Sequence, residues 1–403
     1  MSSPLTQCRG PSPVLPRLGL DGTGVWGMPA QWTVNGRFLS QPVTGVQRYA
    51  REILASLDAQ LTEDAMLRDR LKIELLLPPD AREQPALQSI GVRQVGPLTG
   101  HAWEQLVLPL HAGGGLISLC NTGPVLKSRQ IVCIHDLNTR IFPESYSRTF
   151  RLVYRVLTPL LLRRATQVAT VSNFSASLME SYGLKPRRGI MVIPNGHEHT
   201  ARWKPEHTVA TASASGPDTI VLLGSNAPHK NVGLILGMAD RLADEGFRIA
   251  LVGSCDPRVF ASGKQSSLPD NVIALGRLSD DALAALLQDS LCLAFPSFVE
   301  GFGLPPLEAM SLGCPVVASD RTSLPEVCGT AALYADPEEA DAWTASFRRL
   351  RCEEGLRHAL VKAGREQAMR FSWNASARLY LELMVPMDAA SVMVHPAEPA
   401  KIA

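Results

Sequence analysis

The 403-residue sequence lacks a long hydrophobic run, an excess of charge of one sign, and any cysteine or histidine spacing typical of a metal site. Its most apolar segment, residues 157–162, is far too short to cross a bilayer, so we expect no transmembrane helix. The net charge of +1 argues against a nucleic-acid partner, which would need a strongly basic surface. The proline-rich start also lacks the basic-then-apolar order of a secretory signal.

The eight cysteines include no CxxC pair, and most lie inside apolar, strand-like segments. A free cysteine in such a segment behaves as a small hydrophobic residue. Reduced thiols of this kind fit an intracellular compartment better than a secreted one, where disulfides would be expected. We therefore expect a cytoplasmic protein.

What the sequence does contain is a repeated alternation of short apolar segments with amphipathic, helix-like segments. Its 45% hydrophobic and 19% charged residues are typical of a globular protein, and its length favours two domains. Strands that alternate with helices predict parallel sheets covered on both faces, hence an α/β fold. The predicted strands lie at residues 32–34, 72–77, 92–95, 116–119, 130–134, 167–171 and 190–193, then 220–223, 247–252, 272–275, 291–295 and 315–319.

The domain boundaries are predicted from composition. Segments rich in proline, glycine, serine or alanine without a hydrophobic period indicate linkers or disorder. The predicted organisation is a disordered segment 1–30, a first domain 31–200, a linker 201–217, a second domain 218–370, a terminal helix 371–385 and a flexible tail 386–403.

The most informative stretch is residues 295–320. Gly301 and Gly303 allow the backbone to turn tightly or approach a ligand, and Pro305-Pro306 predict that a helix begins only after them. The amide groups at a helix start favour an anion. Glu300 and Glu308 flank this loop, so one carboxylate can face a reacting group while the other accepts hydrogen bonds from hydroxyls. An ordinary strand–loop–helix, with Glu308 only complementing the helix dipole, is the alternative.

This stretch resembles the signature of family 4 glycosyltransferases, which are retaining, nucleotide-sugar-dependent enzymes of GT-B fold. Their pattern is a glutamate, seven residues and a second glutamate, as in Glu300 to Glu308. The resemblance continues through Gly313-Cys-Pro-Val-Val317 and Leu324-Pro-Glu-Val327, and covers about residues 31–385. It implies two Rossmann-like domains that face each other across a cleft, with a C-terminal helix that crosses back to the first domain.

Five further segments carry the resemblance. The loop after the first strand includes Arg37 and Gly45, although a plain surface loop is the alternative there. His135-Asp136 follow a predicted strand, where the family has a donor-facing histidine, although a lone histidine is usually structural. The turn at 224–231 resembles the family's phosphate-binding turn, with His229 in place of its usual arginine and Lys230 retained. Residues 170–175 and 192–196 resemble further landmarks of the family.

The resemblance also implies roles for single residues. His135, Lys230 and Glu300 would act at the reacting centre, and Arg37 and Asp136 would lie on the acceptor side. The implied donor-binding residues are Gly45, Gly224, His229, Gly301, Phe302, Gly303, Leu304 and Glu308. No metal and no cofactor is expected, because the nucleotide sugar is a substrate.

Residues 147–164 predict a helix with Arg148, Arg151 and Arg155 on one face, while Val153, Val156 and Leu160 are among the apolar residues expected on a buried face. A solvated charged face is one interpretation. Attachment to the anionic inner face of the plasma membrane, where a lipid-linked acceptor would be met, is the other.

The function that the resemblance implies is transfer of a hexose from a nucleotide diphosphate to a glycan or polyprenyl-linked acceptor, in polysaccharide or lipopolysaccharide biosynthesis. Mannose from GDP-mannose is favoured, because residues 35–49 and the phosphate turn look like those of bacterial polysaccharide mannosyltransferases. A nucleotide-sugar epimerase of the same fold and a non-catalytic GT-B scaffold are the alternatives. The epimerase would isomerise its donor without an acceptor, and the scaffold would bind no nucleotide.

Overall fold

The computed structural model describes residues 29–186, 188–224, 227–253 and 268–384. The segments predicted to be disordered or flexible at the two ends, 1–30 and 386–403, lie almost entirely outside these residues. Within the described part, the chain forms two parallel β-sheets, each flanked by helices. The expected α/β, GT-B-like arrangement of two Rossmann-like domains is therefore confirmed.

The first sheet has seven parallel strands in the order β3-β2-β1-β4-β5-β6-β7. Strand order reverses between β1 and β4, so the carboxyl ends of these two strands open a crevice in which ligands bind in sheets of this kind. The strands are β1 Ala30–Asn35, β2 Leu71–Leu77, β3 Gly91–Gln94, β4 Gly115–Ser118, β5 Gln130–Cys133, β6 Gln167–Thr170 and β7 Ile190–Val192.

The second sheet has six parallel strands in the order β10-β9-β8-β11-β12-β13. Its order reverses between β8 and β11, and β11 leads directly into the loop that carries Glu300. The strands are β8 Gly216–Leu223, β9 Arg248–Val252, β10 Val272–Gly276, β11 Ser290–Phe295, β12 Val316–Ser319 and β13 Ala332–Ala335.

Helices cover both sheets. In the first domain they are α1 Gly45–Glu63, α2 Ala65–Arg70, α3 Gly100–Ala102, α4 Leu108–His111, α5 Asn138–Ile141, α6 Arg148–Arg164 and α7 Asn173–Ser181. Later in the chain they are α8 Val209–Ala214, α9 Val232–Gly237, α10 Ala239–Asp244, α11 Asp280–Gln288, α12 Leu304–Leu312, α13 Leu324–Cys328, α14 Ala340–Cys352, α15 Leu356–Ala368 and α16 Trp373–Met384. Short 3₁₀ helices lie at Gly36–Ser40, Pro143–Ser145, Glu198–Arg202 and Pro228–Lys230, and a π-helical turn lies at Trp103–Val107.

The last helix, α16, belongs to the second half of the sequence but packs on the first domain. The Trp32 indole N–H donates to the carbonyl oxygen of Met384 at 3.0 Å, and the hydroxyls of Tyr49 and Tyr380 lie 3.0 Å apart. One hydrophobic cluster runs from the first domain through α16 into the second. The helix thus ties the two domains together.

Several local predictions were wrong. The helix expected only after Pro305-Pro306 begins three residues earlier, at Leu304, because both prolines fit its first turn and Gly303 precedes it in a left-handed conformation with φ 101°. Part of the predicted linker forms helix α8, and helices α9 and α10 are separated at Met238. Strand β13 was missed.

Helix α6 also differs from prediction. Val153, Val156 and Leu160, expected on a buried face, are 42%, 55% and 40% exposed. The helix instead buries a narrow stripe that includes Leu161 and Leu162. No helix in the described residues has both the length and the apolar character needed to cross a membrane.

Candidate functional site

The candidate site lies in the cleft where the carboxyl ends of the two sheets face each other. Here the Glu300 loop touches the first domain directly: the Ser172 hydroxyl donates to the carbonyl oxygen of Gly301 at 2.6 Å. A Cβ atom on Gly301 would lie 2.4 Å from the carbonyl oxygen of His135. Glycine is therefore required at this position, because any side chain would push the two domains apart.

This cleft contains a cavity of about 390 Å³, which is lined by both domains. It brings together most of the residues predicted from sequence. Those that line it are Gly45, His135, Asp136, His229, Lys230, Glu300, Gly301, Phe302, Gly303, Leu304 and Glu308. Of the predicted donor-binding residues, Gly224 does not line it.

Lys230 and Glu300 form an ion pair at the wall of this cavity. The Lys230 ammonium donates to both Glu300 carboxylate oxygens, at 2.7 and 3.0 Å, and lies 5.6 Å from the centre of the Phe295 ring. The Glu300 side chain is 10% exposed and that of Lys230 is 30% exposed. Glu300 also donates its backbone N–H to the Thr322 hydroxyl, which helps to fix the loop. Lys230 and the start of α12 line the same cavity, and an ammonium and a helix N-terminus each favour an anion.

Glu308 lies in the first half of α12 and is almost buried. Its Oε1 atom accepts a hydrogen bond from His199 Nε2 at 2.8 Å and lies 3.5 Å from Nε of Arg48. Arg48 comes from α1 of the first domain and also donates to Asp280 at 2.7 Å. Glu308 is therefore held by Arg48 of the first domain and by His199, and it is not a solvated residue that only complements a helix dipole.

His135 is buried between the two domains. Its Nε2 atom lies 2.8 Å from the carbonyl oxygen of Leu119, and the Tyr49 ring packs edge-on against it at 4.7 Å. Burial lowers the pKa of His135 to about 4, although the Leu119 carbonyl favours the charged form. The imidazole is therefore neutral at neutral pH, with Nε2–H donating to the carbonyl.

His229 stands where the family has an arginine, and it is 6% exposed. Its Nδ1 atom lies 3.0 Å from the hydroxyl of Ser145, and Phe142 of the first domain packs beside the ring. Burial, followed by the charge of Lys230, lowers the pKa of His229 below its ordinary value. In this state the side chain is a neutral contact between the domains.

A second cavity, of about 640 Å³, opens beside the first on the first-domain side. The two share Asp136 and Tyr146 as walls. Burial raises the pKa of Asp136, although the Asn138 backbone N–H that its carboxylate accepts opposes the shift. Asp136 therefore lies between the two cavities, in a position to contact groups in either.

Arg37 lines the second cavity but is already paired. Its Nε donates to Glu104 at 3.0 Å and Nη2 donates to the Thr122 hydroxyl at 2.7 Å, and all three residues are buried. Asn35 donates to the same carboxylate at 2.8 Å. Arg37 thus shapes the cavity through a satisfied network rather than as a free cation.

Gly45 and Gly224 have different surroundings. A Cβ on Gly45 would meet nothing within 4 Å, so no close backbone approach requires glycine there. The Gly224 N–H donates to the Val252 carbonyl oxygen at the end of β9, and the following residues 225–226 lie outside the described part. Among the described residues, no group of three or more His, Cys, Asp or Glu side chains could hold a metal ion.

Sequence reasoning missed the residues that support Glu308. Arg48, His199 and Trp373 come from three distant segments, and only the fold brings them together. The sequence offers one signal, the landmark at 192–196 and the start of the predicted terminal helix 371–385. They meet because Gly196 has no side chain: a Cβ there would lie 2.1 Å from the backbone N of Trp373.

Comparison with known proteins agrees with this geometry. Residues 204–367, which carry Lys230, Glu300 and Glu308, match the family described as glycosyl transferases group 1. The chain therefore carries a region similar to group 1 glycosyl transferases in its second half. It is 25% identical over 350 residues to the O-antigen chain mannosyltransferase RfbU of Salmonella typhimurium, which covers 83% of this chain and 89% of that protein.

A shorter and closer similarity is to O-antigen chain mannosyltransferase B of Escherichia coli, 46% identical over 99 residues, or 25% of this chain and 26% of that protein. Solved structures agree on the fold. Sucrose-phosphate synthase from Thermosynechococcus elongatus superimposes with a TM-score of 0.63 at 19% identity, over 88% of this chain and 99% of that one. HepE from Anabaena, solved with UDP and glucose, gives 0.60 at 17% identity, over 89% and 100%.

Proposed function

We propose that this group 1 glycosyltransferase moves a mannosyl group from GDP-mannose to a hydroxyl of a glycan or lipid-linked acceptor, in polysaccharide or lipopolysaccharide biosynthesis. The observation that carries the proposal is the cavity between the domains, where Lys230, Glu300, Glu308 and the start of α12 converge. The mannosyltransferase names of two relatives support mannose as the sugar.

The donor diphosphate would lie against Lys230 and the backbone amide groups of residues 301–304, which line the cavity, since Pro305 and Pro306 in the first turn of α12 carry no N–H. When the bond from the sugar C1 to the phosphate oxygen breaks, negative charge develops on the departing nucleoside diphosphate. A fixed ammonium and a helix N-terminus stabilise such charge without reorganisation. The chain supplies this electrostatic stabilisation from its own residues, and the proposal requires no metal and no cofactor.

Glu308 would accept hydrogen bonds from the ribose hydroxyls, while Glu300 and its loop would face the sugar. Retention of configuration by a double displacement would need a free carboxylate beside the reacting carbon. Glu300 is paired with Lys230, and Glu308 is held by His199 and Arg48. We therefore favour front-face substitution, in which the acceptor oxygen bonds to C1 and the leaving phosphate takes the acceptor's proton.

The second cavity is the proposed acceptor site. It adjoins the donor cavity through Asp136 and Tyr146, so a sugar bound there would present a hydroxyl to the donor sugar. Its volume suits more than one small group, since ligand cavities of about 300–1,000 Å³ enclose drug-sized molecules. An acceptor that ends in a glycan fits this cavity better than a small alcohol.

Helix α6 would attach the enzyme to the anionic cytoplasmic face of the membrane. A lipid-linked acceptor would be met there. The exposed Leu152 and Val156 of α6 and its arginines offer apolar contact and positive charge on one element. Reversing Arg148, Arg151 and Arg155 to glutamate should abolish pelleting with anionic vesicles and leave GDP affinity unchanged. Equal pelleting of variant and wild type at low salt would exclude this role.

The proposed reaction is tested by incubating the protein with GDP-mannose, UDP-glucose or dTDP-rhamnose, with and without mannose-terminated oligosaccharides. We expect GDP and an extended oligosaccharide only when GDP-mannose and the acceptor are both present. Isomerised donor without acceptor would favour the epimerase alternative. Failure to bind any nucleoside diphosphate would favour the non-catalytic scaffold.

A further inference from the structure

We infer that His199 is a positioning residue for Glu308, and that it gives the site its preference for nucleotides with an intact ribose. This inference rests on the proposed donor site, in which Glu308 accepts the ribose hydroxyls. His199 lies outside the family pattern described above, in the 3₁₀ helix Glu198–Arg202 that follows the first domain.

The hydrogen bonds of His199 fix which ring nitrogen carries the proton. The Trp373 indole N–H donates to Nδ1 at 2.9 Å, and an indole nitrogen can only donate. Nδ1 must therefore be the acceptor, which leaves the proton on Nε2. Nε2 then donates to Oε1 of Glu308 at 2.8 Å.

The ring itself cannot move easily. The His199 side chain is fully buried, and Trp203 packs edge-on against it at 5.3 Å. Trp373 is held in turn by Glu198, whose carboxylate accepts the Trp373 backbone N–H at 2.9 Å. Orientation of the donor to Glu308 is therefore set by the start of helix α16.

The effect on Glu308 is to occupy one carboxylate oxygen and leave the other available. Oε1 contacts His199 and lies near Arg48, whereas Oε2 has no hydrogen-bond donor among the described residues. Glu308 lines the donor cavity. Without the His199 donor, Arg48 would be the one remaining partner of Oε1 in the described structure, and the carboxylate could rotate toward it and away from the ribose.

Two substitutions separate positioning from simple packing. In His199→Gln, the longer amide can reach Glu308 as Nε2 does. In His199→Asn, the shorter amide can accept from Trp373 in place of Nδ1 but cannot reach Glu308. The two variants share chemistry and differ by one methylene group, so each is the control for the other.

The measurement is the ratio of dissociation constants for 2′,3′-dideoxy-GDP and GDP, by calorimetry. A hydrogen bond to a charged group is lost in the dideoxy analogue, so wild type should prefer GDP by about tenfold or more. His199→Gln should keep this preference. His199→Asn should reduce it to about threefold or less, with the affinity for dideoxy-GDP nearly unchanged.

The outcomes distinguish the inference from the proposed function. Equal binding of both nucleotides to wild type would contradict the ribose contact of Glu308 itself, and the inference would fall with it. If His199→Asn kept the full preference for GDP over dideoxy-GDP, the inference would be overturned and the proposed function would stand. An equal loss of affinity for both nucleotides would have the same consequence. If His199→Asn does not fold, Trp373→Phe, which removes the indole donor and keeps an aromatic ring, should lower the preference for GDP over dideoxy-GDP; an unchanged preference would overturn the inference.

Discussion

Acid should destabilise this protein through His135, and the size of the effect follows from its burial. The pKa of His135 is lowered from 6.5 to about 4 in the folded chain, because burial disfavours the imidazolium. As the pH falls below 6.5, the unfolded chain therefore binds a proton at His135 that the folded chain does not bind. Stability contributed by the neutral ring is complete above that pH and is lost progressively down to about pH 4.

Between pH 7 and pH 5 the free energy of unfolding should fall by about 2 kcal/mol, because the folded and unfolded chains bind this proton with different pKa values. His135→Gln keeps a side chain able to donate to the Leu119 carbonyl but cannot titrate. Urea unfolding of both proteins at pH 7 and pH 5 isolates the histidine, because all other groups are shared. We expect the wild type to lose about 2 kcal/mol more than the variant on acidification. An equal loss in both proteins would show that His135 is charged or exposed in the folded state.

Three further predictions concern the cleft. Glu308→Gln replaces a charged acceptor with a neutral amide and should weaken GDP binding by about 1.5–3 kcal/mol, measured by calorimetry; unchanged affinity would remove Glu308 from the nucleotide site. His229 has a lowered pKa, and a bound diphosphate would raise it, so GDP affinity should increase as pH falls through the bound-state value. His229→Arg should remove that dependence, and a wild-type profile in the variant would assign His229 to packing alone. Gly301→Ala places a Cβ against the His135 carbonyl and should lower the rate of transfer at least tenfold in a steady-state assay. The control Gly237→Ala has open space around the new Cβ and should not lower it. Equal activity of the two variants would show that the domains do not close as described.

The parts that sequence predicted well are those encoded locally. Glu300, Glu308 and Lys230 lie in strand–loop–helix turns whose glycines and prolines determine the backbone, so the structure places them where the pattern indicated. The alternation of apolar segments predicted both sheets because buried parallel strands are continuous hydrophobic runs. Strand β13 was missed because Ala332–Ala335 is short and rich in alanine, which has low strand preference.

The parts that failed depend on contacts between distant segments. Nothing near His199 in sequence indicates that it meets Glu308, 109 residues later, or Trp373, 174 residues later. Arg37 was predicted on the acceptor side, but its pairing with Glu104, which lies 67 residues away and is buried with it, could not be read from the sequence. Helical spacing predicted an apolar face for α6, but Val153, Val156 and Leu160 on that face are exposed, because spacing cannot tell which apolar residues another element covers.

The most direct test of the account is the anomeric configuration of the transferred sugar. Wild-type protein, GDP-α-mannose and a mannose-terminated oligosaccharide are incubated together, and the new anomeric signal is followed by proton NMR. The account predicts an α-linked mannose, formed with stoichiometric release of GDP and absent with Glu300→Gln. A β-linked product, or a product formed equally well by Glu300→Gln, would contradict it.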